Sequence, residues 1–151
     1  MAIKRSLATE DYGLDTVSLA ATRNRKYVDI DIAFKPKPTS GDIYKKTEAA
    51  AVKQAVKNLL LTNFRERPFQ PFFGTGLSSY LFELTEPEQE AKITRAIQSA
   101  IKTYEPRVNY RTLKIKTNLQ PDYNSIEVTV IFNIINSVEE ITLTTSINRL
   151  R

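Results

Sequence analysis

The chain has 151 residues, 41% apolar and 26% charged, enough for one domain with a real core. It contains no Cys and no His, which excludes thiolate nucleophiles, disulfides, Cys/His zinc sites and imidazole general bases. The net charge of +5 raises the question of nucleic acid, but the basic residues are scattered rather than gathered into one stripe, which suits solubility and partner steering better.

Residues 1–26 are polar and without sustained periodicity, and they carry Arg23, Arg25 and Lys26. They read as an arm or irregular lead-in, with residues 27–151 as the folded domain. The first fifteen residues lack an apolar h-region, so no secretory signal is expected there. No apolar run approaches the ~20 residues of a membrane helix, so no membrane partner is expected. The expected location is inside a cell, or in a particle assembled there.

Val28, Ile30, Ile32 and Phe34 alternate with Asp29, Asp31 and Ala33, which predicts a half-buried strand halted by Pro36 and Pro38. Thr47 and Glu48 open a helix, with Thr47 as N-cap. Val52, Ala55, Val56, Leu59 and Leu60 form its core stripe, Lys53 and Lys57 point outward, and it fades near Asn63. The stretch FRERPFQPFFGTGLSSYLFE, residues 64–83, is irregular and aromatic. Phe69, Phe72, Phe73 and Leu77 divide there between plugging the core and serving a function.

Thr85-Glu86-Pro87-Glu88 is a capping box that starts a second helix with Pro87 in its first turn. Ile93, Ile97, Ala100, Ile101 and Tyr104 make the stripe of that helix, and Pro106 ends it. The last forty residues predict a three-strand antiparallel meander. A turn at Asn136-Ser137 pairs Phe132 with Ile141, Val130 with Leu143, Val128 with Thr145 and Ile126 with Ile147. A loop over Gln120–Ser125, with Pro121-Asp122 as turn signal, pairs Leu113 with Phe132, Ile115 with Val130 and Leu119 with Ile126. Both hairpins place their apolar side chains on one face, where the two helices bury their stripes. The fold class is therefore α+β, a two-layer domain of two amphipathic helices on an antiparallel meander, with an additional N-terminal strand.

Two segments stand out, Glu66-Arg67-Pro68-Phe69 followed by Phe72 and Gly74, and Glu105-Pro106-Arg107. The order NLLLT, FRERPFQPFFG, YEPRV resembles the lysozyme-like baseplate protein family of contractile-tailed phages, which has relatives in the type VI secretion baseplate. The resemblance covers about residues 27–148. The segment PKPTSGDIYKK before the first helix and Phe72 depart from the family pattern.

The resemblance implies a structural wedge subunit in a virion tail baseplate, assembled in the host cytoplasm. It implies packing on a core bundle of other wedge proteins, contact with the tail sheath protein, and six copies per baseplate. No cofactor, metal or small-molecule substrate is implied. Partner-binding candidates are Glu66, Arg67, Pro68, Glu105, Pro106 and Arg107. The outward Thr142, Thr144 and Ser146 of the long, proline-free last strand join them, where a sheath arm would add by β-augmentation. Two alternatives stay open: the N-terminal strand covers that edge instead, and Glu105-Pro106-Arg107 is only a helix stop with a cation near the helix C-terminus.

Two other readings compete with the phage scaffold, a cellular injection device of the type VI kind and a peptidoglycan-hydrolysing enzyme. A glycosidase needs a carboxyl of raised pKa. Glu66 has Arg65 and Arg67 beside it and Glu105 has Arg107, so both are expected to shift the wrong way. Base-stacking aromatics are missing from the outer sheet face, which reads Lys, Thr and Glu, so nucleic acid is disfavoured as a partner.

Overall fold

A computed structural model describes residues 27–82, 88–120, 124–135, 137 and 139–148. The expected arm over residues 1–26 and the turn signal at Pro121-Asp122 lie outside the described residues, as do Thr85, Glu86 and Pro87 of the capping box.

Three strands, β3 (Lys114–Gln120), β4 (Ser125–Asn133) and β5 (Glu140–Asn148), form an antiparallel sheet in the order β3-β4-β5. The derived register holds residue for residue between β4 and β5, from Ile126↔Ile147 to Phe132↔Ile141. Ile115↔Val130 and Leu119↔Ile126 also pair as expected between β3 and β4. Leu113 falls one residue short, because β3 begins at Lys114. The 3₁₀ turn Tyr110–Thr112 precedes it, and the Thr112 hydroxyl accepts the Asn133 amide where a Leu113 pair would have stood.

Ile126, Val128, Val130, Phe132, Ile141 and Leu143 point to one face and are all buried. Helices α1 (Glu48–Leu61) and α3 (Gln89–Tyr104) cover that face, α1 against β5 and α3 against β3. Their apolar stripes are the expected ones, with Val52, Val56, Leu59, Leu60, Ile93, Ile97 and Ile101 all buried, while Lys53 and Lys57 face out. This is the expected α+β two-layer arrangement.

The start of α1 falls where expected but differs in how it is capped. Thr47 holds the N-cap position of α1 but its side chain makes no cap bond, and the Glu48 amide donates to the Tyr27 carbonyl at 2.6 Å. The second long helix is described from Gln89, with Glu88 of the capping box at its N-cap position, and the Gln89 side chain donates to the Tyr80 carbonyl of the short helix α2 (Leu77–Tyr80).

The N-terminal strand is the larger departure. β1 (Val28–Ile30) is three residues long, and Val28 and Ile30 are 56% and 52% exposed rather than half-buried. It pairs with β2 (Lys45–Thr47) in a separate hairpin and not with β5. The segment PKPTSGDIYKK supplies the returning arm, with a Pro36↔Ile43 bridge and Gly41 at φ +68 in its turn. β5 therefore has a strand neighbour on one side only among the described residues.

Candidate functional site

The aromatic loop after α1 is held by a dense set of local bonds. Thr62 closes the helix, its hydroxyl donating to the Asn58 carbonyl at 2.6 Å. The Glu66 carboxylate then accepts from the Asn63 amide at 2.9 Å and from the Asn63 side chain at 2.8 Å. The Arg65 amide donates to the Pro71 carbonyl across the loop, and Ser78 donates to the Asn63 side-chain oxygen.

Gly74, at φ +118, lies so close to the Thr62 carbonyl that a Cβ there would overlap it. Only glycine fits both the backbone angle and the space. The buried Thr75 completes the clamp, its hydroxyl donating to the Leu60 carbonyl.

A loop so fixed presents its apolar side chains in two directions. Phe73 and Leu77 turn inward, Leu77 fully, while Phe69 is 98% exposed and Phe72 78%. The expected division between core plug and functional surface thus falls between the two pairs. An exposed aromatic on a preformed loop costs little ordering entropy when a partner covers it.

The two sequence motifs meet in space. The Arg67 guanidinium lies 3.6 Å from the centroid of the Phe73 ring, which packs at 5.0 Å on Tyr104, the last residue of α3. The Tyr104 hydroxyl donates back to the Phe72 carbonyl at 2.9 Å. Next in the chain, Glu105 is buried, and its carboxylate takes both Nε (2.5 Å) and Nη2 (2.7 Å) of Arg107.

That bidentate bond raises the Arg107 pKa above its ordinary value. Arg107 also stands 5.4 Å from the Tyr27 ring, and its carbonyl accepts the Ile135 amide. A Val108↔Ile134 bridge ties the segment to the end of the sheet.

Glu66, Arg67, Pro68, Glu105, Pro106 and Arg107 therefore belong to one corner. Glu66 braces the loop, Arg67 and Arg107 cap aromatic rings, and Pro68 and Pro106 are exposed. A small cavity of about 230 Å³ between Arg67, Tyr104, Glu105 and Asp29 joins the two halves. Thr142, Thr144 and Ser146 form a second, separate set, all exposed on the outer side of β5. Sequence reasoning missed Tyr27, Asp29 and the Phe73–Tyr104 contact, because nothing local links residues so far apart in the chain.

The carboxylates are poorly placed for acid catalysis. Glu66 is held below its ordinary pKa by the Asn63 amide and then by the Asn63 side chain, not by the neighbouring arginines. Both Glu105 oxygens are engaged by Arg107.

Residues 46–138 match the family model described as baseplate wedge protein gp25. The baseplate wedge protein gp25 of Enterobacteria phage T4 is 31% identical over 123 residues, 80% of this chain and 89% of that protein. The chain belongs to the gp25 baseplate wedge family.

Membership makes it a baseplate wedge protein of a contractile tail system. The fold recurs in a chain of the anti-feeding prophage baseplate, with a TM-score of 0.56 and 21% identity, covering 85% of this chain and 87% of that one. It also recurs in a Geobacter sulfurreducens protein solved as a candidate tail lysozyme, with a TM-score of 0.56 and 16% identity over 66% of this chain and 89% of that one. At those identities the likeness concerns the fold alone.

Proposed function

We propose that this wedge subunit is a non-enzymatic connector with two docking surfaces. The corner built from residues 66–73 and 104–107 receives other baseplate proteins, and the open edge of β5 receives a strand of the tail sheath. The carrying observation is the corner itself: two motifs about forty residues apart converge on one braced surface from which Phe69 and Phe72 project into solvent. Exposed aromatics beside arginines are the composition of binding hot spots.

β5 adds a nine-residue strand with a single strand partner among the described residues, the geometry that strand addition uses. Because Glu105 and Arg107 engage each other, the outward contact falls to the remaining donors of Arg107 and to Arg67. Six copies per baseplate would match the sixfold symmetry of the anti-feeding prophage baseplate, one chain of which shares this fold.

The test is co-assembly with the other baseplate proteins of the same particle. The Phe69→Ala/Phe72→Ala variant should keep the melting temperature of the isolated chain and lose co-assembly. Unimpaired baseplates from this variant would remove the corner from the proposal. Clearing of a peptidoglycan suspension by the wild-type chain, abolished in Glu66→Gln or Glu105→Gln, would replace the connector by a hydrolase.

A further inference from the structure

A groove of about 660 Å³ runs along the outward side of α1, walled by the turn after β1 and meeting β5 at Leu143 and Thr144. It follows α1 positions 50, 53, 54, 57, 58 and 61, one stripe at helical spacing, so its long direction is that of the helix axis. Leu61 and Ile32 are apolar and half-exposed there.

Three lysines border it. Lys46 is bound to Asp31 at 3.0 Å, whereas Lys53 and Lys57 have no ion-pair partner among the described residues. Between those two lysines Gln54 is 93% buried. Its Nε2 donates to the Ile30 carbonyl at 2.8 Å, which fixes the amide orientation, and its Oε1 accepts no bond among the described residues. Closed to solvent, that oxygen is an internal cost to the fold rather than a contact point for a partner.

We propose that this groove seats an extended acidic segment of a neighbouring protein. Carboxylates on residues n and n+2 of that segment meet Lys53 and Lys57, and an apolar residue covers Leu61 and Ile32. The spacing supports this: side chains four apart on a helix are about 5–6 Å apart, and alternate residues of a strand about 6.6 Å.

Residues 1–26 of the chain itself carry five basic and three acidic side chains, the wrong balance for a cationic rim. The inference rests on the reading of β5 as a receiving edge and adds the chemistry that the incoming segment must carry.

A photo-crosslinking amino acid at Leu61 reports on the groove, and one at Ser146 reports on the β5 edge, each in assembled particles with the crosslinked peptides sequenced. The Leu61 position should join a segment of another chain that has carboxylates two residues apart. Lys53→Glu/Lys57→Glu, both at exposed positions, should cut that yield at least tenfold without changing the melting temperature. Crosslinking of Leu61 to residues 1–26, to a segment without such carboxylates, or at a yield indifferent to charge reversal overturns the inference. Capture at Ser146 with none at Leu61 overturns it while sparing the edge; capture at neither position removes both.

Discussion

Replacing Arg107 by alanine deprives the Glu105 carboxylate of both its hydrogen bonds in one step. Stranding one member of a fully buried ion pair costs ~3–5 kcal/mol. Here the Glu105 side chain is 7% exposed but that of Arg107 is 29% exposed, so water can follow the departing guanidinium and screen what remains. An expected loss of about 2 kcal/mol results, a melting temperature lower by roughly 4–8 °C for a chain of this length. The isolated protein stays folded, because whole-domain stabilities run to about 5–15 kcal/mol.

Glu105→Gln/Arg107→Ala removes the stranded charge and should recover about half of the loss, showing coupling between the sites. Urea unfolding of the four proteins measures it. A cost below about 0.5 kcal/mol for Arg107→Ala, or a double variant equal to the sum of the singles, would refute the closed pair.

Gly74→Ala combines a left-handed backbone with overlap of the Thr62 carbonyl, and should lower stability by at least ~2 kcal/mol in the same assay. The Glu66 clasp has a defined pH sense. Its folded pKa lies below the ordinary 4.5, so its contribution is present above that value and is lost as pH falls through the lower folded one. In an NMR titration the Asn63 amide should move with a midpoint below 4.5, and in Glu66→Gln it should not titrate. Thr75→Val deletes a buried hydroxyl that donates to the Leu60 carbonyl and should cost about 1 kcal/mol by thermal unfolding.

The meander was legible because a strand has a period of two and a slip of one residue would bury Lys114, Glu127 and Thr142 together. The helix stripes were legible for the same kind of reason. The first strand was not, although its alternation is as regular. Val28, Ile30, Ile32 and Phe34 show that one face is apolar, but alternation does not say what covers it, and no described element does. Its partner, Lys45-Lys46-Thr47, has no apolar alternation and becomes a strand only through the hairpin.

At the corner, the motif residues could be singled out while their meeting could not. The contacts Arg67–Phe73–Tyr104 and Glu105–Arg107–Tyr27 join three distant parts of the chain. Gln54 sat unremarked among the polar residues of α1, since helical spacing alone does not reveal a glutamine whose neighbour is a carbonyl from a different strand.

Amide hydrogen exchange along Glu140–Asn148, compared between the isolated chain and the assembled particle, bears most directly on a strand that waits for a partner. Those β5 amides not bonded to β4 should exchange quickly in the free subunit and at least tenfold more slowly after assembly. Amides already protected in isolation, with no further slowing in the particle, would mean that the edge is closed and receives nothing.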